Sequence, residues 1–263
     1  MHIVAIYDWK KETAEVKQAI SAALGITVYE VQQRLIAGSP IVVASFADPQ
    51  QAQALVKKLN QIKIATLVVD TEEVRSRVKN FIVQRFKLHI SSISLRLNDG
   101  QLVEIPYREI NILIPVTSIV DKSETKTVTE RRFSLGRTII TGGIPMTEKI
   151  KYQQEIRNIN IGKFLYLYAQ GKQQPVILNQ NIMVYDGLGS AMKTSQEQNF
   201  TYLINELHRL SPRAVYDDRL FKRIGQRRLL GPTLNPETNL DIAIEILVQY
   251  LRVSTKNNNT KIP

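Results

Sequence analysis

The residues that most often carry chemistry are few in this sequence and widely separated. The 263 residues include three histidines and no cysteine. His2, His89 and His208 do not form a metal-ligand spacing, and none has a second histidine four residues further on, as a helical zinc site requires. The lack of cysteine excludes disulfides, thiolate zinc sites and a cysteine nucleophile.

A glycine-rich segment, residues 187–194, comes nearest to a phosphate-binding loop. A Walker A loop requires glycine directly before its Lys-Thr pair so that the backbone can fold around a phosphate. Met192 occupies that position, ahead of Lys193 and Thr194. We interpret the segment as a glycine turn that leads into a capped helix, with Lys193 as an incidental anion contact at the helix N-terminus.

Adjacent carboxylates at Asp217 and Asp218 are the remaining candidate for a cation site. They stand between Arg213 and Arg219, which favours surface ion pairs or a turn cap over a divalent metal. General acid–base catalysis needs a titrating group positioned in a cleft, and the sequence indicates none. We therefore predict a non-enzymatic protein with no cofactor and no metal.

The positive charge gathers in two segments. The net charge is +11, and residues 1–79 account for only +2 of it. Segments 131–172 and 213–228 hold eight and six basic residues, against two acids each. Such clusters attract anionic partners, although a basic protein also gains solubility from its charge alone. Because a guanidinium binds phosphate or carboxylate in a bidentate manner, we predict six anion contacts: Arg131, Arg132, Arg137, Arg223, Arg227 and Arg228.

The first 70 residues contain the elements of a small α+β domain. Alternating β-branched residues predict three strands, at residues 2–7, 41–46 and 64–69. Apolar residues at helical spacing predict three helices, at residues 10–24, 28–35 and from 49 onward. A capping box of Thr27 and Glu30 begins the second helix. The order β-α-α-β-α-β predicts three helices on one face of a three-stranded sheet.

This order, with the apolar spacing from Val16 to Pro40, resembles the C-terminal domain of the bacterial ribosomal stalk protein. In that family, basic side chains on the first two helices recruit translation factors. The matching positions here are uncharged: Gln18, Ser21, Tyr29 and Gln32. The resemblance therefore implies a small protein-docking module without factor recruitment.

Residues 71–79 are charged and predict a helical linker, after which a period-two pattern begins at Phe81. It predicts a meander of about four strands up to residue 120. Asp99-Gly100 is a strong hairpin signal, because a type I′ turn requires positive φ at both central residues. Residues 121–160 are rich in Thr, Lys, Glu and Arg and lack an apolar period, so we predict a long excursion between strands, partly ordered at 133–140.

The sequence predicts that strands resume at residues 164–169 and 175–178. Two overlapping capping boxes, at Thr194 and Ser195, then predict the start of an amphipathic helix that ends at Ser211. An antiparallel set of strands that ends in one helix resembles a pleckstrin-homology domain in layout, over roughly residues 81–212. In that family the loops between strands often bind acidic lipid headgroups or peptides. No headgroup-binding motif is present here, so no residue is assigned that role.

We thus predict four parts in an α+β chain. They are a stalk-like module at 1–70, a linker at 71–79, a pleckstrin-homology-like antiparallel β-domain at 80–212 with an insertion at 121–160, and a helical extension at 213–263. In the extension, a helix over 240–253 precedes a disordered tail at 255–263.

The predicted function is a cytoplasmic adaptor. Its small domain would dock a protein, and its basic surface would bind an anionic partner. Two alternatives are association with nucleic acid or the ribosome, and binding to acidic lipids at a membrane surface. No run of uncharged apolar residues is long enough to predict a transmembrane segment, and the N-terminus has no signal-peptide pattern.

Overall fold

The computed structural model describes residues 1–9, 13–36, 38–76, 81–133, 147–172 and 174–259. Within these ranges, side chains are described everywhere except at residues 120–133, 147–160 and 257–259. The chain divides into two compact units, residues 1–118 with 162–263, and residues 119–161. Helices and strands are mixed, so the predicted α+β class is confirmed.

The first 70 residues form a three-stranded antiparallel sheet of order β2-β1-β3. Its strands are β1 (His2–Tyr7), β2 (Ile41–Phe46) and β3 (Ala65–Asp70). The helices between them are α1 (Ala14–Leu24), α2 (Val28–Leu35) and α3 (Pro49–Gln61). The predicted element order and the Thr27–Glu30 capping box are confirmed: Glu30 N donates to Thr27 Oγ1 at 3.2 Å, and Thr27 N donates to Glu30 Oε2 at 2.8 Å.

This small sheet is buried on both of its faces. Alternate side chains of the strands, such as Val4 and Ile41, form one core with the three helices. The intervening ones pack against the C-terminal helices α6 (Arg223–Leu230) and α7 (Leu240–Asn259). These residues of the second face are Ile3, Ala5, Val42, Leu67 and Val69. The sequence predicts cover on one face only, because nothing local indicates that a segment 150 residues away covers the other.

The predicted linker is helical where the structure describes it. Helix α4 covers Thr71–Ser76. Arg75 Nε lies 3.2 Å from Asp241 Oδ2 at the start of α7, and Arg75 Nη2 donates to Thr238 O at 3.2 Å. Helix α4 is therefore attached to the C-terminal region through Arg75.

The larger sheet has seven strands in the order β10-β7-β8-β9-β4-β5-β6. They are β4 (Phe81–Leu88), β5 (Ser92–Leu97), β6 (Leu102–Pro106), β7 (Ile110–Phe133), β8 (Thr147–Ala169), β9 (Val176–Asn179) and β10 (Val215–Tyr216). The prediction of antiparallel pairing is wrong where β4 pairs with β9 in parallel. Strand β7 also pairs in parallel with β10, a strand that the sequence does not predict. Alternation of apolar residues reports which face a residue occupies and carries no information on strand direction.

The hairpin between β5 and β6 uses a different turn from the one predicted. Of its loop residues only Gly100 has positive φ, at +85°, and Leu97 N donates to Gln101 O at 2.9 Å. The loop therefore has three residues, Asn98 to Gly100, and fits a type I turn followed by a left-handed glycine. A type I′ turn at Asp99-Gly100 would also require positive φ at Asp99.

The unit at 119–161 departs from the predicted excursion. Strand β7 continues to Phe133 and β8 begins at Thr147, so the described part of this segment is extended strand. Most of the predicted ordered stretch, 134–140, lies outside the described residues. The segment is rich in Thr, Lys, Glu and Arg and lacks the sustained apolar alternation by which a half-buried strand is detected, whereas strand pairing itself depends on backbone groups.

Helix α5 (Gln196–Leu210) packs on the larger sheet through Phe200, Leu203, Ile204 and Leu207, as its apolar spacing predicts.

At the C-terminus two predictions are wrong. Residues 213–239 contain a helix that the sequence does not reveal, α6, because it is short and contains Gly225. Helix α7 also continues to Asn259 where we predict a disordered tail, with Thr255 Oγ1 donating to Leu251 O at 2.8 Å.

Candidate functional site: a basic groove

A cavity of about 840 Å³ lies at one end of the larger sheet. Its walls are the first residues of β7, the last residues of β8 with the turn that follows, strand β10, and the C-terminal turns of α7. The start of β7 and the end of β8 come together because the two strands are neighbours in the sheet, and β10 extends it because Val215 pairs with Ile112. We call this cavity the basic groove.

The lining of the basic groove is strongly biased in charge. Among the twelve described residues that line it, none is acidic and four are cationic: Lys172, Arg213, Arg252 and Lys256. Three further residues, Asn111, Gln170 and Thr255, bring polar side chains. A concave surface with cations of one sign focuses its field on the cavity and raises the local concentration of anions.

Helix α7 contributes two of the four cations. Arg252 and Lys256 are four residues apart, so they lie on the same side of the helix. The opposite side of α7 is buried through residues such as Ile246 and Leu247, which fixes the rotation of the helix. The guanidinium Cζ of Arg252 lies 5.4 Å from the centroid of the Tyr168 ring, a cation–π contact that holds the side chain against β8.

The turn after β8 contributes Lys172. Gly171 has φ +74°, which glycine adopts without steric cost, and Gln170 N donates to Glu109 O at 2.8 Å. Burial lowers the pKa of the Lys172 ammonium, and the nearby Glu109 carboxylate acts in the opposite direction. A bound anion would likewise favour the charged form of this lysine.

The arrangement can bind anions. Four cations around one cavity repel one another, and a phosphate or carboxylate relieves that repulsion. Arg213 and Arg252 each present a planar guanidinium that can bind two oxygens of such a group, whereas a lysine acts as a point charge.

The three predicted arginines whose side chains the structure describes, Arg223, Arg227 and Arg228, are not among the residues that line this groove. Arg223 forms an ion pair with Glu237, with Nη2 and Oε1 2.5 Å apart, and its side chain is only 24% exposed. Arg227 and Arg228 are exposed on α6 and form no ion pair within the described part of the chain. Arg131 and Arg132 lie on β7 at positions whose side chains are outside the description, and Arg137 lies outside the described residues.

The basic segment 213–228 divides into groups with different surroundings. Arg219 pairs with Asp217 at 2.9 Å and also donates to the backbone carbonyl of Ser39. Asp217 therefore forms an ion pair, as the sequence predicts, but its side chain is only 11% exposed, so the pair is not a surface one. Arg213 lines the basic groove instead. The segment thus supplies one groove cation, two arginines already paired with acids, two exposed arginines on α6, and the exposed Lys222 that precedes this helix.

Sequence reasoning missed Arg252 and Lys256 as site residues. Their four-residue spacing on a helix was available as a signal, but the predicted helix ends at residue 253, so Lys256 falls in the predicted tail. Lys172 and Arg213 belong to the two basic segments but were not selected, because charge density alone does not indicate which cations share a cavity.

The other candidates for chemistry are separate from one another. His2 Nδ1 lies 3.6 Å from Asp70 Oδ2, His89 Nε2 lies 2.9 Å from Ser94 Oγ, and the His208 ring stacks on Tyr216 with centroids 4.4 Å apart. Among the residues that the structure describes, no group of three or more histidines and carboxylates could hold a metal ion.

The glycine-rich segment has a structural role. A Cβ atom at Gly187 would lie 2.0 Å from the Phe86 carbonyl oxygen, so close packing against β4 requires glycine there. Ser195 accepts from Gln198 N at 3.2 Å and caps α5, which confirms the interpretation as a turn into a capped helix. Lys193 Nζ lies 5.6 Å from the centroid of the Tyr202 ring.

Comparisons with known proteins assign no family. No protein-family model matches the chain, and neither the curated proteins nor the solved structures contain a significant match. None of the helices in the described ranges has the length and apolar character needed to cross a bilayer.

Proposed function

We propose that this protein is a non-enzymatic, cytoplasmic binding protein or adaptor whose basic groove binds an anionic group of its partner. One observation carries the proposal: four cations and no acid among the described residues that line one cavity of about 840 Å³. The predicted resemblances fit this function, since a stalk-like module implies protein docking and a pleckstrin-homology-like layout implies recognition of acidic ligands.

The charge and volume of the groove favour a compact group with several negative oxygens. Its volume of about 840 Å³ lies within the range of about 300–1,000 Å³ typical of small-ligand sites. The predicted arginine surface on α6, with Arg227 and Arg228, is the second candidate for anion contact because both side chains are exposed.

Binding of inorganic tripolyphosphate, measured by calorimetry at low and high salt, tests the proposal. The double variant Arg213→Glu/Arg252→Glu reverses two groove charges and should weaken binding by at least about tenfold, the effect of losing roughly 1.4 kcal/mol of attraction. The wild-type affinity should fall as salt rises, and the salt dependence should be flatter in the variant.

Two charge-matched double variants separate the groove from general charge effects. Lys57→Glu/Lys58→Glu changes two exposed lysines on α3 and should leave affinity within about twofold. Arg227→Glu/Arg228→Glu tests the predicted α6 contacts by the same change of charge. Equal losses in all three variants, or no binding by the wild type, would contradict the proposal.

The identity of the macromolecular partner separates the two alternative functions. RNA that co-purifies with the protein and raises its 260/280 nm absorbance ratio would favour nucleic-acid association. Sedimentation with vesicles only when they contain an acidic phospholipid would favour a membrane surface. A partner protein retained from lysate at low salt and lost at high salt is the outcome expected of an adaptor.

A further inference from the structure

A second cavity lies at the same end of the larger sheet as the basic groove. Its volume is about 520 Å³, and its lining includes four apolar residues, Phe81, Leu97, Val103 and Val176. They come from β4, β5, β6 and β9, which are neighbours in the sheet. Polar groups come from two glutamines, Gln101 and Gln174, and from Lys172. We call this the apolar cavity.

Lys172 lines both cavities. It stands in the turn between β8 and β9, with the basic groove towards β7 and α7 and the apolar cavity towards β4, β5 and β6. An apolar cavity with a few convergent polar groups is the usual form of a small-ligand site. One ligand molecule that filled both cavities would carry an anionic end and an apolar end.

We propose that the protein binds a single anionic amphiphile, with a phosphate or carboxylate head at Lys172 in the basic groove and an aliphatic tail in the apolar cavity. The inference rests on the proposed anion-binding function and adds the chemical class of the ligand. Lys172 would pair with the head, while Phe81, Val103 and Val176 would contact the tail.

The chemistry of the apolar cavity argues for a tail and against a second anion. Leu97 and Val176 are 1% and 2% exposed, so the base of the cavity belongs to the buried core and offers no cation other than Lys172 among the described lining residues. Burial lowers the pKa of this lysine, which indicates that its ammonium is partly shielded from water. A cation in that setting pairs more strongly with an anion than a fully solvated one does.

Calorimetry with methyl phosphate and octyl phosphate, the latter below its micelle concentration, tests the inference. Each fully buried methylene contributes about 0.8 kcal/mol, or roughly fourfold in affinity. Burial of three to four methylenes should therefore make octyl phosphate bind about 100-fold more tightly than methyl phosphate. The neutral detergent octyl glucoside, which shares the tail and lacks the charge, should bind more weakly than octyl phosphate.

Two variants connect the result to the apolar cavity. Gln101→Trp places a large side chain at an exposed position directly before β6 and should reduce the advantage of octyl over methyl phosphate by at least about tenfold, without changing methyl phosphate binding. Gln84→Trp makes the same change at an exposed position of β4 that does not line the cavity, and should leave the advantage intact. Thermal unfolding of each variant checks that the fold is retained.

The outcomes distinguish failure of this inference from failure of the proposed function. Equal affinities for methyl and octyl phosphate overturn the amphiphile while the anion-binding function stands. Binding of neither phosphate overturns both. Sedimentation with vesicles that contain an acidic phospholipid, with no binding of monomeric octyl phosphate, overturns the single-molecule ligand in favour of a membrane surface. Loss of octyl phosphate binding in Lys172→Met supports the inference.

Discussion

The N-terminal module should not be stable when it is separated from the rest of the chain. A fragment of residues 1–76 keeps α1 to α4 and the small sheet, but it loses the cover that α6 and α7 provide. Four large side chains of the second face would become exposed: Ile3, Val42, Leu67 and Val69, at present 1%, 1%, 9% and 2% exposed. Burial of such a side chain contributes about 1.5–3 kcal/mol, so the loss is about 6–12 kcal/mol.

That loss is comparable to the whole free energy of unfolding of a typical domain, about 5–15 kcal/mol. Urea titration followed by circular dichroism should therefore show no cooperative transition in the fragment, where the full chain has one. As a control, a full chain cut by a protease site introduced between 77 and 80 keeps both pieces and should remain folded, since its packing is intact. A fragment that unfolds cooperatively at the midpoint of the full chain would refute this account.

Two further predictions concern single residues inside the first unit. Gln226 is 1% exposed, and its Nε2 donates to Thr117 O and Leu220 O, both at 2.7 Å. The substitution Gln226→Leu should lower the free energy of unfolding by about 2–5 kcal/mol, because two carbonyls lose their donor. As a control, Gln249→Leu on the partly exposed side of α7 should lower it by under about 1 kcal/mol. Burial, with a smaller contribution from Asp241, raises the pKa of Tyr166 to about 12. An unfolded tyrosine titrates near pH 10, so the contribution of Tyr166 to the free energy of unfolding is fully present below pH 10. This contribution declines by about 2–3 kcal/mol as the pH rises to 12. Urea titration at each pH should show a smaller decline in Tyr166→Phe than in the wild type.

Local signals in the sequence predicted local structure well and long-range arrangement poorly. The capping residues Thr27 and Ser195 both cap helices in the structure, because such a cap depends on residues only three positions apart. The turn at Gly100 was located correctly but its type was not, since only the backbone conformation of Asp99 separates the two turns. The parallel pairing of β4 with β9 has no local signal at all.

The basic groove illustrates the same limit for function. Charge density indicated the segments that contain Lys172 and Arg213, but the cavity also needs Arg252 and Lys256, from a helix whose end was misplaced. The apolar period stops at Val253, so the sequence predicts a tail beyond it. In the structure the residues up to Asn259 continue the helix, since each residue added to an existing helix gains a backbone hydrogen bond.

Helix α7 links the stability of the fold to the proposed site. Its buried side chains, such as Ile242 and Ile246, share a core with Ile3 and Val69 of the small sheet, and its last turns carry Arg252 and Lys256 into the groove. The N-terminal module therefore helps to fix the position of one wall of a cavity that it does not line. An anion bound in the groove as proposed would contact β8 and α7 together, and at a concentration 100 times its dissociation constant it would stabilise the folded unit by about 2.7 kcal/mol. Ligand binding and attachment of the N-terminal module would then be coupled through one helix, and weakening either should weaken the other.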